Sequence, residues 1–503
     1  RTGFLNLIME VANRGRELSP RYHDLFGKVT WELGSSHRLG ARVLLAGDDF
    51  LLRDPEVVDL DAVDFQSAWH NRYAWVTWDA FPNRDLSFRT HAWLGSMGRR
   101  REGSLEDLQD TPHRIASSDH RTFTFAGVDA MATARISDRA MVSAGLEAKR
   151  LRSEYRYLHR TWSYYATEEN VRGEREDTVA ADTAPDGSEV AAHATLRLRP
   201  HPRWTAEVGV RFDRAVPAGD GRLAPRITAA FQPTPRANLR FSAGRYSQSH
   251  GLHELRVGDG ESAFSRPDEG FQIGVGADHT WPAGVGLRVE LYRRDIDTRR
   301  PVFFNAEQDL KVFPEAAGDR MRVDPDQARA RGVEVHVERR GGLRWAWAAS
   351  YALAVAEDRI DGAWVPRERD QRHTLSLQAG FEPTPAWAFS AGWRFHSGWP
   401  ATAWTWTVET LDDGWNLWTQ EFGPLRRERL PAYHRLDLRV SRIFQLSRGR
   451  LQLFLDFFNV YNRTNLASWD YSGSYEGGSL TVERIDGQEM LPFLPTFGFI
   501  WEF

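Results

Sequence analysis

The side chains best equipped for chemistry in this 503-residue chain are Tyr246, Gln248, His250, His253 and Glu254. A His-x-x-His-Glu run holds the donor types of a metal site. Its order, however, reverses the His-Glu-x-x-His pattern that sets two imidazoles on one helix face, and nothing around it has helical spacing. No third ligand is identifiable, so neither a metal nor metal catalysis is expected. The five residues read instead as a contact surface for a solute, or as the packing of a loop.

Tryptophan supplies a second candidate surface. Trp404, Trp406, Trp415 and Trp418 follow Trp399 within one polar stretch, and Trp404 and Trp406 stand at strand spacing. One face of a loop hairpin would then be aromatic. Indoles offer area, stacking and an N–H donor, which suits sugars, aromatic siderophores or apolar peptides. Packing between loops explains Trp404 and Trp406 equally well, and an interfacial girdle is the better account of Trp399. Farther up the chain, Glu168-Glu169, Glu174 and Glu176-Asp177 could attract a cation, yet they lack the spacing of a calcium loop. No nucleophile motif, phosphate-binding glycine loop or dinucleotide fingerprint stands in a fitting context. The chain reads as a non-enzyme with no cofactor.

The elements that must position these groups show period-two alternation. Leu451, Leu453, Leu455 and Phe457 oppose Arg450, Gln452 and Asp456. Val333, Val335 and Val337 oppose Glu334, His336 and Glu338, and Ala206, Val208, Val210 and Phe212 oppose Glu207, Arg211 and Asp213. A helix would scatter those charges round its axis, whereas a strand collects them on one side. On this pattern 20 extended segments are expected. The first ten cover 2–11, 21–34, 37–49, 65–80, 84–98, 120–134, 138–152, 188–200, 203–214 and 222–233. The others cover 236–247, 267–280, 283–296, 328–341, 343–356, 369–382, 386–398, 432–445, 449–461 and 493–503.

The connections sort into two kinds. Ser35-Ser36, Pro82-Asn83, His201-Pro202, Thr234-Pro235, Gly341-Gly342 and Pro383-Thr384-Pro385 are tight turns. The alternate connections are mostly long: 50–64, 99–119, 153–187, 248–266, 297–327, 399–431 and 462–492. A soluble sandwich need not sort its turns this way, and its open edges would need protection. A membrane barrel, with tight periplasmic turns and long outer loops, does sort them. Composition agrees. Mean hydropathy is −0.53, and no run approaches the roughly 20 apolar residues of a spanning helix. Yet the chain carries 20 Trp, 28 Phe and 13 Tyr with no Cys. Alternating lipid-facing and lumen-facing positions average to such a polar composition. A net charge of −4 gives no reason to expect nucleic acid as a partner. Charged strand positions such as Arg197, Arg199, Arg211, Arg240, Arg288, Glu334, Glu338, Arg435, Asp437 and Arg439 would line a watery lumen, paired with one another or facing a solute.

The C-terminus, Thr496-Phe497-Gly498-Phe499-Ile500-Trp501-Glu502-Phe503, resembles the signal that the barrel-assembly machinery reads in its clients, carried by Thr496, Gly498, Trp501 and Phe503. Leu18-Ser19-Pro20-Arg21-Tyr22, Leu223-Ala224-Pro225-Arg226, Gly244-Arg245-Tyr246-Ser247-Gln248 with His253-Glu254-Leu255, Arg331-Gly332-Val333-Glu334, Asp370-Gln371-Arg372-His373-Thr374-Leu375 and Phe458-Asn459-Val460-Tyr461-Asn462-Arg463-Thr464-Asn465 follow in order. Together they resemble the barrel of TonB-dependent outer-membrane receptors.

That resemblance implies an all-β fold, a large antiparallel transmembrane barrel of ~22 strands with about 20 in this chain, residues 1–503 forming a single barrel domain. By parity of the turns, an even number of strands or none precedes residue 1. The resemblance places two further strands, a plug domain and the segment that engages a TonB-type energy-transducing protein upstream, behind a signal peptide. It implies energised uptake of a bulky solute (siderophore, cofactor, glycan or peptide) through the outer membrane of a Gram-negative bacterium. The implied partners are lipid and lipopolysaccharide, the barrel-assembly machinery, the TonB-type protein and an extracellular solute. A passive large-channel porin, or a barrel platform within an outer-membrane assembly, are the alternatives.

Overall fold

The computed structural model describes residues 17–54, 62–107, 113–166, 172–216, 221–306, 313–317, 319–339, 344–410, 416–476 and 479–502. Among the described residues one antiparallel sheet holds 21 strands, and nineteen of them make its continuous wall. The first nine are β1 (Glu17–Leu33), β2 (His37–Asp54), β3 (Ala62–Ala80), β4 (Leu86–Asp107), β5 (His113–Ser137), β6 (Ala140–Ala166), β7 (Asp186–His201), β8 (Trp204–Val216) and β9 (Arg222–Thr234). The remainder are β10 (Ala237–Gln248), β11 (Asp268–Thr280), β12 (Val285–Thr298), β13 (Gln327–Arg339), β14 (Trp345–Ile360), β15 (His373–Thr384), β16 (Trp387–His396), β17 (Tyr433–Gln445), β18 (Arg450–Phe458) and β19 (Leu494–Glu502). Each pairs with the next in sequence, from β1 with β2 to β18 with β19. Among the described residues β1 and β19 are the two edges. The expected segment at 2–11 lies outside the described residues.

Register fixes the two faces. On β5 the positions Val128 and Ile136 are exposed, as are Leu94 on β4 and Leu146 on β6, which share that face. The same face continues through Val208 and Phe212 on β8, Leu291 on β12, and Phe497, Phe499 and Trp501 on β19. So many large apolar groups on one contiguous side are stable in lipid and not in water. The opposite face carries the predicted charges, largely paired. Arg197 meets Glu207 at 2.9 Å, Arg211 meets Glu147 at 3.1 Å, and Arg240 meets Glu290 at 2.9 Å. Arg288 meets Asp278 and Arg435 meets Asp437, at 2.9 and 2.7 Å. These residues are thus paired along the lumen wall.

Several expectations need correction. The stretches 99–119 and 153–187 are for the most part strand, since β4, β5 and β6 run on far past the lipid-facing band. The strand Arg172–Thr183 pairs with Tyr155–Ala166, and β7 takes over along Ala140–Arg152. The stretch 399–431 contains the hairpin Trp404–Thr410 with Asn416–Phe422, and 462–492 contains Trp469–Glu476 with Ser479–Asp486. Polar residues on both faces of these ribbons, where water lies on each side, hide the alternation. Two ends were also set too far. β15 starts at His373, not near 369, because the Asp370 carboxylate accepts the Ala356 N–H at 2.7 Å and makes a corner. β18 stops at Phe458, because Asn459 has φ 51 and its side chain both donates to and accepts from the Arg463 backbone.

Candidate solute site at the extracellular mouth

Above the lipid band, the lumen face of β4, β5 and β6 presents Arg101, Asp119, Arg121, Phe123, Tyr155 and Tyr157 in adjacent register. Two connections fold onto this patch. The one between β10 and β11 brings Leu255 and Val257 into a buried cluster with Phe123, Tyr155 and Tyr157. The one between β12 and β13 brings Phe313 and Glu315. Tyr155 donates its hydroxyl hydrogen to the Leu252 carbonyl. Gly258 comes so close to the wall that an added Cβ would sit 2.8 Å from Glu315 and 3.0 Å from Tyr157, so no side chain fits there.

The polar half of the patch is a buried ion cluster. Arg101 donates to Asp119 at 2.9 Å and to Glu315 at 3.3 Å, while Arg121 donates to Asp119 at 2.7 Å. Asp119 is fully buried. Burial works to raise its carboxyl, but the Arg121 hydrogen bond and the Arg101 charge outweigh this and hold it below the ordinary aspartate range. Burial, helped by the neighbouring carboxylates such as Asp119, carries the Tyr155 and Tyr157 hydroxyls well above theirs. The two loops also grip each other, since Arg320 makes a two-pronged pair with Asp259 at 2.7 Å and Arg300 meets Glu254 at 2.8 Å.

The predicted group at 246–254 splits along this architecture. Tyr246 and Gln248 are exposed at the end of β10. His250 is buried, its Nδ1 accepting the Ser265 N–H at 3.1 Å, and its ring stands edge-on to Phe264. His253 stands edge-on to Phe123. Glu254 accepts the Gly251 N–H at 2.9 Å. Burial pushes its carboxyl up, but Arg300 and that N–H hold it low. The three residues brace a loop and converge on no shared point. Among the described residues no cluster of His, Asp and Glu is arranged to hold a metal.

The tryptophans divide too. Trp404 is buried, edge-on to Trp406 at 5.5 Å and 4.8 Å from the Tyr471 ring of the neighbouring hairpin. It joins two loops, while Trp406 is only half-buried beside it. Trp418 pairs with Val408 in the same hairpin. Trp415 lies outside the described residues, as does Phe503 of the C-terminal signal. Thr496 and Gly498 fall on the lumen side of β19 and Trp501 on the lipid side.

Sequence reasoning missed one group. A cavity of about 440 Å³ opens on the lumen wall beside the ion cluster, lined by Tyr22, Asp48, Phe50, Trp69, Arg99 and Arg101 among others. The Arg99 guanidinium lies 4.8 Å over Trp69. Burial, then the nearby Arg101 and Arg121 charges, pull its pKa down to about 10. Arg101 and Arg121 are matched by Asp119 and Glu315. Arg99 is the surplus cation, with no hydrogen-bond or ion-pair partner among the described residues. Its spacing, at a lumen-facing position two before Arg101, is the signal that would have found it. Deeper, a recess of about 750 Å³ is walled by small residues such as Ala348, Ser376, Gly380 and Gly392, with Arg394, Asp437, Arg439 and Asp456 beside them.

Comparison with solved structures gives the same architecture. The chain is similar to the ferric citrate transporter FecA in its unliganded form, at 16% identity and TM-score 0.62 over 96% of this chain and 70% of that one. It is similar to P. aeruginosa FpvA bound to a heterologous pyoverdine, at 12% identity and TM-score 0.63 over 97% of this chain and 65% of that one. The ferric-catecholate import receptor Fiu of K12 E. coli matches at 10% identity and TM-score 0.61, over 96% and 75%. No curated protein sequence matches the chain. Residues 17–462 match the family described as TonB dependent receptor-like, beta-barrel. The chain belongs to the TonB-dependent receptor β-barrel family, and is a receptor and transport barrel of the Gram-negative outer membrane rather than an enzyme.

Proposed function

We propose that this barrel belongs to a receptor that captures a bulky, anionic ferric chelate at the cell surface and passes it inward under energy supplied by a TonB-type protein. The carrying observation is the mouth. Two loops from β10–β13 reach the wall of β4–β6 and are held there by buried ion pairs and aromatic contacts, an arrangement suited to gating a lumen rather than leaving it open. Beside the lock, Arg99 and the aromatic Trp69, Tyr22 and Phe50 line a space that would take a planar anionic group. The structural neighbours are named for ferric citrate, ferripyoverdine and ferric catecholates, which makes ferric chelates the first class to test.

The test is uptake of radioiron by cells expressing the full-length protein, supplied as citrate, catecholate or pyoverdine complexes. Uptake of one complex that stops when the TonB-type protein is deleted supports the reading. Uptake that persists without it, with maltose permeating liposomes that carry the protein, would mean a passive channel. A stoichiometric co-purifying partner with no uptake of any complex would mean an assembly platform.

A further inference from the structure

The lipid-facing side of β12 reads Leu287, Val289, Leu291 and then Arg293; that of β13, running the other way, reads Val337, Val335, Val333 and then Arg331. Both strands change from apolar to arginine at the same height, and the register sets Arg293 directly opposite Arg331. Like charges facing each other across an antiparallel pair oppose pairing unless something neutralises them. Arg293 has Asp295 at 2.7 and 3.0 Å. The next cation along, Arg329, has Glu357 at 2.7 Å. Arg331 is exposed and has no hydrogen-bond or ion-pair partner among the described residues. One outward guanidinium is therefore left over at the edge of the hydrocarbon layer.

Below these arginines lies an apolar groove of about 440 Å³, open to the lipid side. Its walls include Ile273, Val275, Leu291, Val333, Leu353 and Val355, with Arg293 and Arg331 at its outer end. Two cations over a channel of branched aliphatic side chains match an amphiphile with a phosphate head and an acyl tail. Guanidinium forks favour phosphate oxygens through paired hydrogen bonds, and a phosphate here would neutralise Arg331, the one cation of the facing pair that Asp295 does not already balance. The outward side of an outer-membrane barrel meets, at this height, the phosphorylated glycolipid of the outer leaflet.

We propose that Arg293 and Arg331 clamp a lipid A phosphate of lipopolysaccharide, with one acyl chain seated in the groove between β11 and β14. The site rests on the barrel's place in the outer membrane and not on any solute, so lipid retention and iron uptake are separate readouts.

The full-length protein, extracted in detergent and stripped of lipid, is titrated with bisphosphorylated lipid A and followed by native mass spectrometry. Folding of each variant is checked by heat-modifiable migration. The wild type is expected to retain one lipid A. R293Q/R331Q lowers retention about tenfold or more, since charge-assisted hydrogen bonds are lost, while R293K/R331K keeps most of it. R245Q removes an outward arginine that faces Phe271 rather than a second cation, and it leaves retention unchanged. Lipid A stripped of phosphate binds the wild type as weakly as lipid A binds R293Q/R331Q. Equal retention by R293Q/R331Q overturns the assignment. So does an equal loss in R245Q, or displacement of lipid A by equimolar phosphatidylglycerol, either of which would reduce the pair to a share of a general basic belt.

Discussion

Arg101 on β4 and Glu315 in the loop after β12 stand 214 residues apart in sequence and are joined by a 3.3 Å hydrogen bond inside the barrel mouth. Both side chains are almost fully buried. Removing the Glu315 charge leaves Arg101 and Arg121 to share the single Asp119 carboxylate, an uncompensated buried charge that costs roughly 3–5 kcal/mol. Glu315→Gln should therefore loosen the mouth without unfolding the wall. Amide exchange at 255–260 and 313–317 should accelerate by about a hundredfold or more, with β8 and β12 unchanged. Uniform acceleration across the wall would show that the pair holds the fold and not the mouth.

The Tyr155 hydroxyl tests the same lock from the apolar side. Tyr155→Phe keeps the ring in its cluster and removes only the hydrogen bond to Leu252. The Leu252 carbonyl is left without its donor, worth about 1–3 kcal/mol. Protease cleavage within 249–266 should quicken by about tenfold or more. An unchanged rate would mean the hydroxyl contributes nothing to closure.

Acid should act on this cluster late. The Asp119 carboxyl lies below its ordinary range in the folded state. Its stabilisation is thus complete above the unfolded value of about 3.9 and is lost as pH falls through the lower, folded one. Loop exchange rates, corrected for intrinsic chemistry, should stay flat from about pH 7 to 4.5 and rise only below about pH 4. A rise near pH 6 would point to a histidine instead.

Arg99 bears on solute binding. Arg99→Gln keeps a hydrogen-bonding group over Trp69 but removes the surplus charge, which should weaken an anionic chelate by roughly 10–100-fold in Kd. Trp404→Ala should act differently. It empties a buried position between two hairpins at a cost of about 3–5 kcal/mol, raising their protease sensitivity, whereas Trp406→Ala alters chelate binding with less structural damage. A neutral chelate that binds wild type and Arg99→Gln alike would fail to move, and an anionic one that also failed to move would remove Arg99 from the site.

These contrasts mark what was legible in the sequence. Wherever one side of a strand meets lipid, Leu451-Leu453-Leu455 or Val333-Val335-Val337 advertise it, and 19 of the expected segments coincide with wall strands. Alternation fades where water wets both sides, so the outer ends of β4 and β5 and the outer half of β6 read as loop. The site was harder still. His250 and Glu254 have the right chemistry for a ligand, yet their partners Ser265 and Arg300 lie 15 and 46 residues away, and no local pattern records such closures. Arg99 is not legible in the sequence because its isolation depends on Asp119, 20 residues on in the next strand, and on Glu315, brought in by a distant loop, both being taken by Arg101 and Arg121.

The last strand offers a test of register itself. Gly498 faces Phe454 across β18 and β19, and an added Cβ would lie 2.3 Å from the ring's Cζ. The ring itself is held under Arg439, whose guanidinium carbon lies 4.5 Å from its centre. Something must yield, and overpacking of this kind costs typically 1–3 kcal/mol. Because β19 is an edge strand among the described residues, the cost falls on the pairing that must form during assembly. Gly498→Ala should lower the yield of folded, heat-modifiable barrel in the outer membrane. Phe454→Ala combined with it should restore that yield by making room, although the lone Phe454→Ala change leaves a gap of its own. If the double variant assembles no better than Gly498→Ala alone, the glycine serves the assembly machinery through its backbone and not the fit against Phe454.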